Sequence, residues 1–323
     1  MRVSVLRAAA LASSLLLGAS SARAAFSFVD TFATSTINGT STPAANSTSY
    51  DIASSKNASG SASSITSGAL KLGLTAGTTS GIAELQAVVS PSALALTDVG
   101  DSVKLGVKFT NGADVPGAMY FGLYNSGGVK PATDMANAQM LNTVTTHVSD
   151  GVAGWVGYAN LVQSASNSRF ASRPAQSGTS NINQDLVSAG ASSSQSYAGG
   201  TTIGSTATAG SVAALVASTA YFEEYTIALT AAGQYTLTSN LYQGTDSTGT
   251  LVASLSRTDS TFLYNNFDSI AIGFRATSNA AIPSITISQI SVTQTLASEA
   301  VPEPASLALL SLGGLMLGRR RRD

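Results

Sequence analysis

Few side chains in this sequence are equipped for chemistry. His147 is the only histidine and there are no cysteines, which removes disulfides, thiolate metal sites, iron–sulfur clusters and cysteine nucleophiles. A serine relay would need His147, a carboxylate such as Asp150 three residues on, and one of many serines. The alternative is a surface loop histidine. Glycoside hydrolysis needs two carboxyl groups about 5 to 10 Å apart facing one groove. Glu223 and Glu224 are consecutive, so on a strand they point to opposite faces, and no Glu-x-Asp-x-x-Glu pattern occurs. Glu223 shares the phase of Tyr225 and Ile227 and is expected as a strand-end carboxylate at the rim. No cofactor is expected, except that oxygen ligands for calcium could come from Asp98-Val99-Gly100-Asp101 and Asp246-Ser247-Thr248-Gly249, runs that also suit ordinary turns. Carbohydrate can be bound without ionisable catalysts, by aromatic faces beside amide and carboxylate groups. Trp155, among small residues that would leave its ring accessible, is the leading glycan contact, with Tyr158, Tyr120 and Tyr124 beside it. The same rings would equally fill a core.

The charge balance narrows the classes further. Only 10% of the 323 residues are charged, and 16 basic against 17 acidic residues leave a net charge of -1. That provides no footprint for a phosphate backbone, so nucleic acid is excluded as a partner. Much of the basic charge sits at the ends. Arg2 and Arg7 precede an apolar run from Ala8 to Ala19, followed by Ala22-Arg23-Ala24. This reads as a signal helix delivered to the Sec translocon and cut by signal peptidase after Ala24, with Ala22 and Ala24 as the small residues at the cleavage site. At the other end come Val301-Pro302-Glu303-Pro304, an apolar stretch from Ala305 to Gly318, and Arg319, Arg320, Arg321 and Arg322. The prolines keep their segment extended and open to an enzyme. Fourteen apolar residues make a hydrophobic helix of about 21 Å, short for the bilayer core. The arginine cluster resists translocation and holds that end at the cytoplasmic side of the inner membrane.

This three-part tail resembles the PEP-CTERM sorting signal of Gram-negative bacteria. The resemblance implies recognition by an exosortase, cleavage near Pro302 to Pro304, a transient stay in the inner membrane, and delivery to the cell surface or the extracellular polysaccharide matrix. An uncleaved C-terminal anchor is the other reading of the same residues. The expected division is a signal peptide over 1–24, a β-sandwich over 25–298 and a sorting tail over 299–323. With three arginines leaving in the signal and four in the tail, the segment 25–300 keeps nine basic and fifteen acidic residues, about -6.

The elements that must position these residues are strands. Leu70, Leu72 and Leu74 alternate with Lys71 and Gly73, and Val103, Leu105, Val107 and Phe109 with Lys104, Gly106 and Lys108. The same period of two runs through Tyr225-Ile227-Leu229, Tyr235-Leu237, Leu251-Ala253-Leu255 and Ile270-Ile272-Phe274. Ile285 and Ile287 lie in one phase and Ile290 and Val292 in the other, which predicts a bulge near Ser288-Gln289. Helices are expected only over Ala132 to Leu141 and Ser211 to Ser218. Two polar tracts, Ala33 to Gly68 and Gln176 to Gly210, read as insertions on a binding face or as solvated loops and edge-strand pairs. About a dozen strands separated by turn residues predict an all-β, antiparallel β-sandwich. The Phe26-to-Phe32 opening, the strand after Gly68 and the closing Ile285-to-Val292 segment resemble a concanavalin-like or laminin-G-like jelly roll. The expected function is non-catalytic, at the cell surface or in the matrix, structural or polysaccharide-binding. The alternative is a polysaccharide-cleaving glycoside hydrolase or lyase on the same scaffold.

Overall fold

A strand with one wet face buries every second residue, and the longest strands here do so. In the computed structural model the described residues are 25–33, 36–37, 49–54, 63–66, 68–74, 82–129, 152–163, 168–175, 186, 201–204, 215–276 and 283–297. They form eighteen strands: β1 (Ser27–Asp30), β2 (Thr36–Ile37), β3 (Ser49–Ser54), β4 (Ser64–Thr66), β5 (Ala69–Gly73), β6 (Ile82–Val88), β7 (Leu94–Ala95), β8 (Ser102–Asn111), β9 (Ala118–Asn125), β10 (Val156–Gln163), β11 (Arg169–Arg173), β12 (Thr201–Ile203), β13 (Ala220–Ala231), β14 (Gln234–Gln243), β15 (Thr250–Asp259), β16 (Asn266–Phe267), β17 (Ser269–Arg275) and β18 (Ser284–Thr295). A single 3-10 turn, Val152–Gly154, precedes β10. The excess over a dozen comes from short pieces such as β2, β7 and β16, two residues each.

Two eight-stranded sheets result. The first runs β15-β14-β13-β8-β18-β5-β4, with β1 also on β18, and the second β12-β11-β10-β9-β17-β6-β3-β2. Every pairing is antiparallel except β2 with β3. Val107 and Phe109 of the first sheet share one core with Phe121, Ile272 and Leu85 of the second. Phe109 meets Phe121 at 6.0 Å between ring centroids, and Phe170 stacks on Tyr225 at 5.7 Å, so the sheets lie face to face as expected of a β-sandwich.

The expected bulge in the last strand is present. The β18–β8 register shifts between Ile287 and Gln289, so Ile285, Ile287, Ile290 and Val292 are all buried. A second bulge was not expected: Tyr242 pairs with Leu251 and Leu241 with Ala253, which leaves Val252 over. Ala253 and Leu255 therefore point inward, while Leu251 turns out and is 51% exposed. The polar tracts supply sheet edges, with β4 closing the first sheet and β2 and β12 the two edges of the second. Pieces this short blunt an edge against pairing with another chain.

The two sheets differ in their outer faces. In the first, β13 alternates between buried and half-buried residues, whereas β6, β9 and β17 of the second are buried almost throughout. Strands covered on both sides read as continuous apolar or small runs. Ile82, Tyr120, Tyr124, Val152, Trp155, Leu161 and Leu186 form a second core on that outer face. The helix expected over Ser211 to Ser218 is not found in its described part: Ser218 has φ 52° and its N–H donates to Gly112 O at 3.2 Å, away from any helical ladder. The helix expected over 132–141, His147, the signal helix and the sorting tail lie outside the described residues. Among the described residues no helix is long and apolar enough to cross a membrane.

Candidate functional site

The last strand leads directly toward the tail, and one carboxylate fixes where it leaves the sandwich. Asp101 is fully buried; its Oδ2 accepts the N–H groups of Thr97 at 2.9 Å and Asp98 at 3.1 Å, and its Oδ1 accepts the N–H of Ala297 at 2.8 Å. One side chain thus ties the turn before β8 to the residue two places after β18. Gly100 allows the approach: its φ is +105°, and a Cβ there would lie 3.2 Å from the Ala297 Cβ. Three residues, 298–300, separate Ala297 from Val301. Even fully extended, the four steps from Ala297 to Val301 reach about 14 Å.

Neighbouring loops at this end of the sandwich are organised by two further aspartates. Asp259 Oδ1 accepts from the N–H of Thr261 and of Phe262, and its Oδ2 accepts from the Tyr158 hydroxyl at 2.6 Å and the Leu263 N–H at 3.2 Å. The Tyr158 oxygen in turn accepts the Tyr264 N–H at 3.0 Å. Burial first, then the bond to Asp259, pushes the Tyr158 pKa far above its ordinary value, so this hydroxyl stays a donor. Asp268 accepts from the Ser126 N–H and hydroxyl, both at 2.7 Å.

The four aromatics expected to touch glycan fall on two different faces, and all are buried. Tyr158 lies between the sheets, in the core that holds Leu123, its partner on β9. Tyr120, Tyr124 and Trp155 lie in the second core, on the outer face of the second sheet. Trp155 is 0% exposed; its Nε1 donates to Val129 O at 2.9 Å, and its carbonyl accepts from Arg173 Nη1. The Tyr124 hydroxyl donates to Leu186 O. The expected accessible Trp155 ring is therefore not observed: it lies in the second core, 6.4 Å from the Tyr124 ring between centroids.

Glu223 and Glu224 do point to opposite faces. Glu224 is on the open side, 3.1 Å from Lys104 Nζ across the strands, a partly exposed pair. Glu223 is not at a rim but in the middle of the interior, fully buried. Its Oε1 accepts from Asn160 Nδ2 of the opposite sheet at 2.9 Å and from the Ser239 hydroxyl at 2.7 Å, while Glu223 Oε2 and Asn160 Oδ1 have no hydrogen-bond partner. Desolvation lifts its pKa to about 8, against the lowering effect of those two bonds, so the carboxyl is protonated at neutral pH. Glu84 is buried on the outer face of the second sheet, and its Oε1 accepts from Gln86 Nε2 at 2.8 Å and the Leu186 N–H at 3.1 Å. Among the described residues no three His, Asp or Glu side chains converge to hold a metal ion. Asp246, of the second run considered for calcium, accepts from the Thr248 N–H at 2.8 Å and hydroxyl at 2.6 Å, and these bonds hold its pKa below the ordinary carboxylate value.

The sequence reading passed over one half-buried pair of rings, Phe222 and Tyr242, opposite each other on the outer face of the first sheet. The available signal was an aromatic in the polar phase of an alternating strand: Phe222 between inward-facing Tyr221 and Glu223.

Residues 300–322 match the PEP-CTERM protein-sorting motif. No curated protein is significantly similar to the chain. Similar solved structures include a protein of unknown function from Shewanella oneidensis MR-1, 15% identical, covering 92% of this chain and 98% of that one with a TM-score of 0.42. They also include the winged bean acidic lectin complexed with methyl-α-D-galactose, 14% identical over 85% of this chain and 100% of that one, TM-score 0.42. Lectin II from Ulex europaeus is 12% identical over 76% of this chain and 93% of that one, TM-score 0.39. The sorting motif at 300–322 implies an exported protein processed by an exosortase.

Proposed function

We propose that this chain is a non-catalytic β-sandwich carried by its tail to the surface or extracellular matrix of a Gram-negative cell, where the body contacts polysaccharide. The observation that carries the reading is the sorting motif at 300–322, which follows a strand paired with three others, on both of its edges. β18 pairs with β8 along its length and with β5 and β1 on its other side, and Asp101 holds the chain to Ala297. Exosortase would therefore cut within about 14 to 25 Å of a folded body, counted as four to seven extended residues. The signal peptide supplies passage through the Sec translocon, and the apolar tail with its arginines holds the intermediate in the inner membrane until cleavage.

The non-catalytic part rests on how the acids are used. Asp101 and Asp259 bind backbone N–H groups, Glu223 is sealed between the sheets, and Glu224 is paired with Lys104. The test is replacement of Pro302, Glu303 and Pro304 by alanine in the full chain, followed by fractionation. The altered chain is expected to accumulate in the inner membrane; release equal to that of the unaltered chain would overturn the proposal.

A further inference from the structure

The outer face of the first sheet carries aromatic side chains that the core does not use. Phe222 and Tyr242 are register partners on β13 and β14, their ring centroids 6.3 Å apart and their planes within 26° of each other. Neither belongs to a core cluster. On the next strand Gly106 makes room for this arrangement, since a Cβ there would lie 3.3 Å from the Phe222 ring. Phe222, itself half-buried, leans over the one position of that face of β8 that has no side chain. The row continues on both flanks: Lys108 is opposite Phe222, and Leu251, turned out by the bulge at Val252, is opposite Tyr242.

Lys108, Phe222, Tyr242 and Leu251 thus form one line across four strands, about 14 Å long at the usual strand spacing. The adjoining row on the same face is polar. Gly106, Glu224, Asn240 and Ser254 are in register there, the Ser254 hydroxyl donates to Asn240 Oδ1 at 2.8 Å, and Lys104 pairs with Glu224 at 3.1 Å. An apolar strip bordered along its length by amide, hydroxyl, carboxylate and ammonium groups suits a ligand with flat C–H faces and hydroxyl edges.

We infer that the Phe222–Tyr242 strip binds a β-linked polysaccharide chain lying across β8, β13, β14 and β15. An extended ribbon of sugar rings matches a strip that runs in register across four strands, and the polar row would take its hydroxyls along one edge. This deepens the polysaccharide part of the proposed function and rests on it. A lipid acyl chain would leave the polar row unused.

The test uses the exported chain, unaltered and with Phe222→Thr and Tyr242→Thr singly and together. Threonine keeps strand propensity while removing the rings. Each form is run through gels containing xylan, galactomannan or dextran, and sedimented with cellulose, chitin or neutral phospholipid vesicles. The unaltered chain is expected to be held by at least one β-linked glycan, with the double variant weakened about tenfold or more. Thermal unfolding should stay cooperative, lowered by no more than the few degrees that losing one cross-strand aromatic pair costs, and both forms should show the same tail cleavage. Equal binding by the double variant, retention only by dextran or vesicles, or no retention by any β-linked glycan would overturn the inference. Failure of the sorting reading would appear separately, as an uncleaved tail in both forms.

Discussion

Glu223→Gln should flatten the dependence of stability on pH. The carboxyl titrates at about 8 in the folded chain and at its ordinary value of 4.5 when unfolding exposes it. Because the folded pKa is the higher one, the unfolded chain loses this proton first as pH rises. The contribution is most favourable below 4.5, declines by about 1.4 kcal/mol per pH unit, and levels off above 8. Between pH 5 and pH 9 the decline amounts to about 4 kcal/mol. Glutamine keeps an oxygen for Asn160 and Ser239 and cannot ionise. Urea unfolding of both proteins at pH 5, 7 and 9 checks this, with the difference between their two curves isolating residue 223 from every other titrating group. The variant is expected to gain on the unaltered chain by about 4 kcal/mol across that range. Parallel curves would refute the reasoning, since they would mean that Glu223 is charged in the fold or not sealed between the sheets.

Trp155→Ala should lower stability by about 3 to 5 kcal/mol, because it empties a fully buried site and removes the donor to Val129 O; denaturant unfolding measures it, and a loss below about 1 kcal/mol would contradict the packing described. Asp101→Ala removes the acceptor of three backbone N–H groups and should cost about 3 kcal/mol, with faster hydrogen exchange at the Ala297 amide as its local signature. An unchanged Ala297 exchange rate would mean that the carboxylate does not hold the exit. Lys104→Ala breaks only a partly exposed ion pair and should change stability by less than about 1 kcal/mol, an effect that shrinks further in high salt.

How much of this was legible in the sequence depended on whether a strand has a wet face. β8 and β13 do, so Val103 to Phe109 and Tyr225 to Leu229 show their inward phase directly. The phase change between Ile287 and Ile290 located the β18 bulge. The bulge at Val252 left no comparable mark, since Leu251, Val252 and Ala253 are all apolar. β6 and β9 are covered on both sides: both phases of Ala118 to Tyr124 are apolar, small or aromatic, and the outer phase of β6 carries Glu84 and Gln86, which read as solvent-facing but are buried. Alternation puts Tyr120 and Tyr124 on the face opposite Leu123, but nothing in that pattern says which face meets the other sheet, so the aromatics could not be assigned to core or surface. For Glu223 the phase was visible but its destination was not. Its partner Asn160 lies 63 residues away in sequence, and only sheet pairing brings the two together. The sorting motif was legible because its parts are contiguous in sequence: the proline pair, the apolar run, then the arginines.

The central claim is that the body is handed over by its tail, and the C-terminal mass of the chain recovered from the cell surface or matrix tests it most directly. The account predicts a mature chain beginning near Ala25 and ending between Val301 and Pro304, with the apolar stretch and the four arginines absent. Surface material that still ends in Arg322-Asp323 would contradict it.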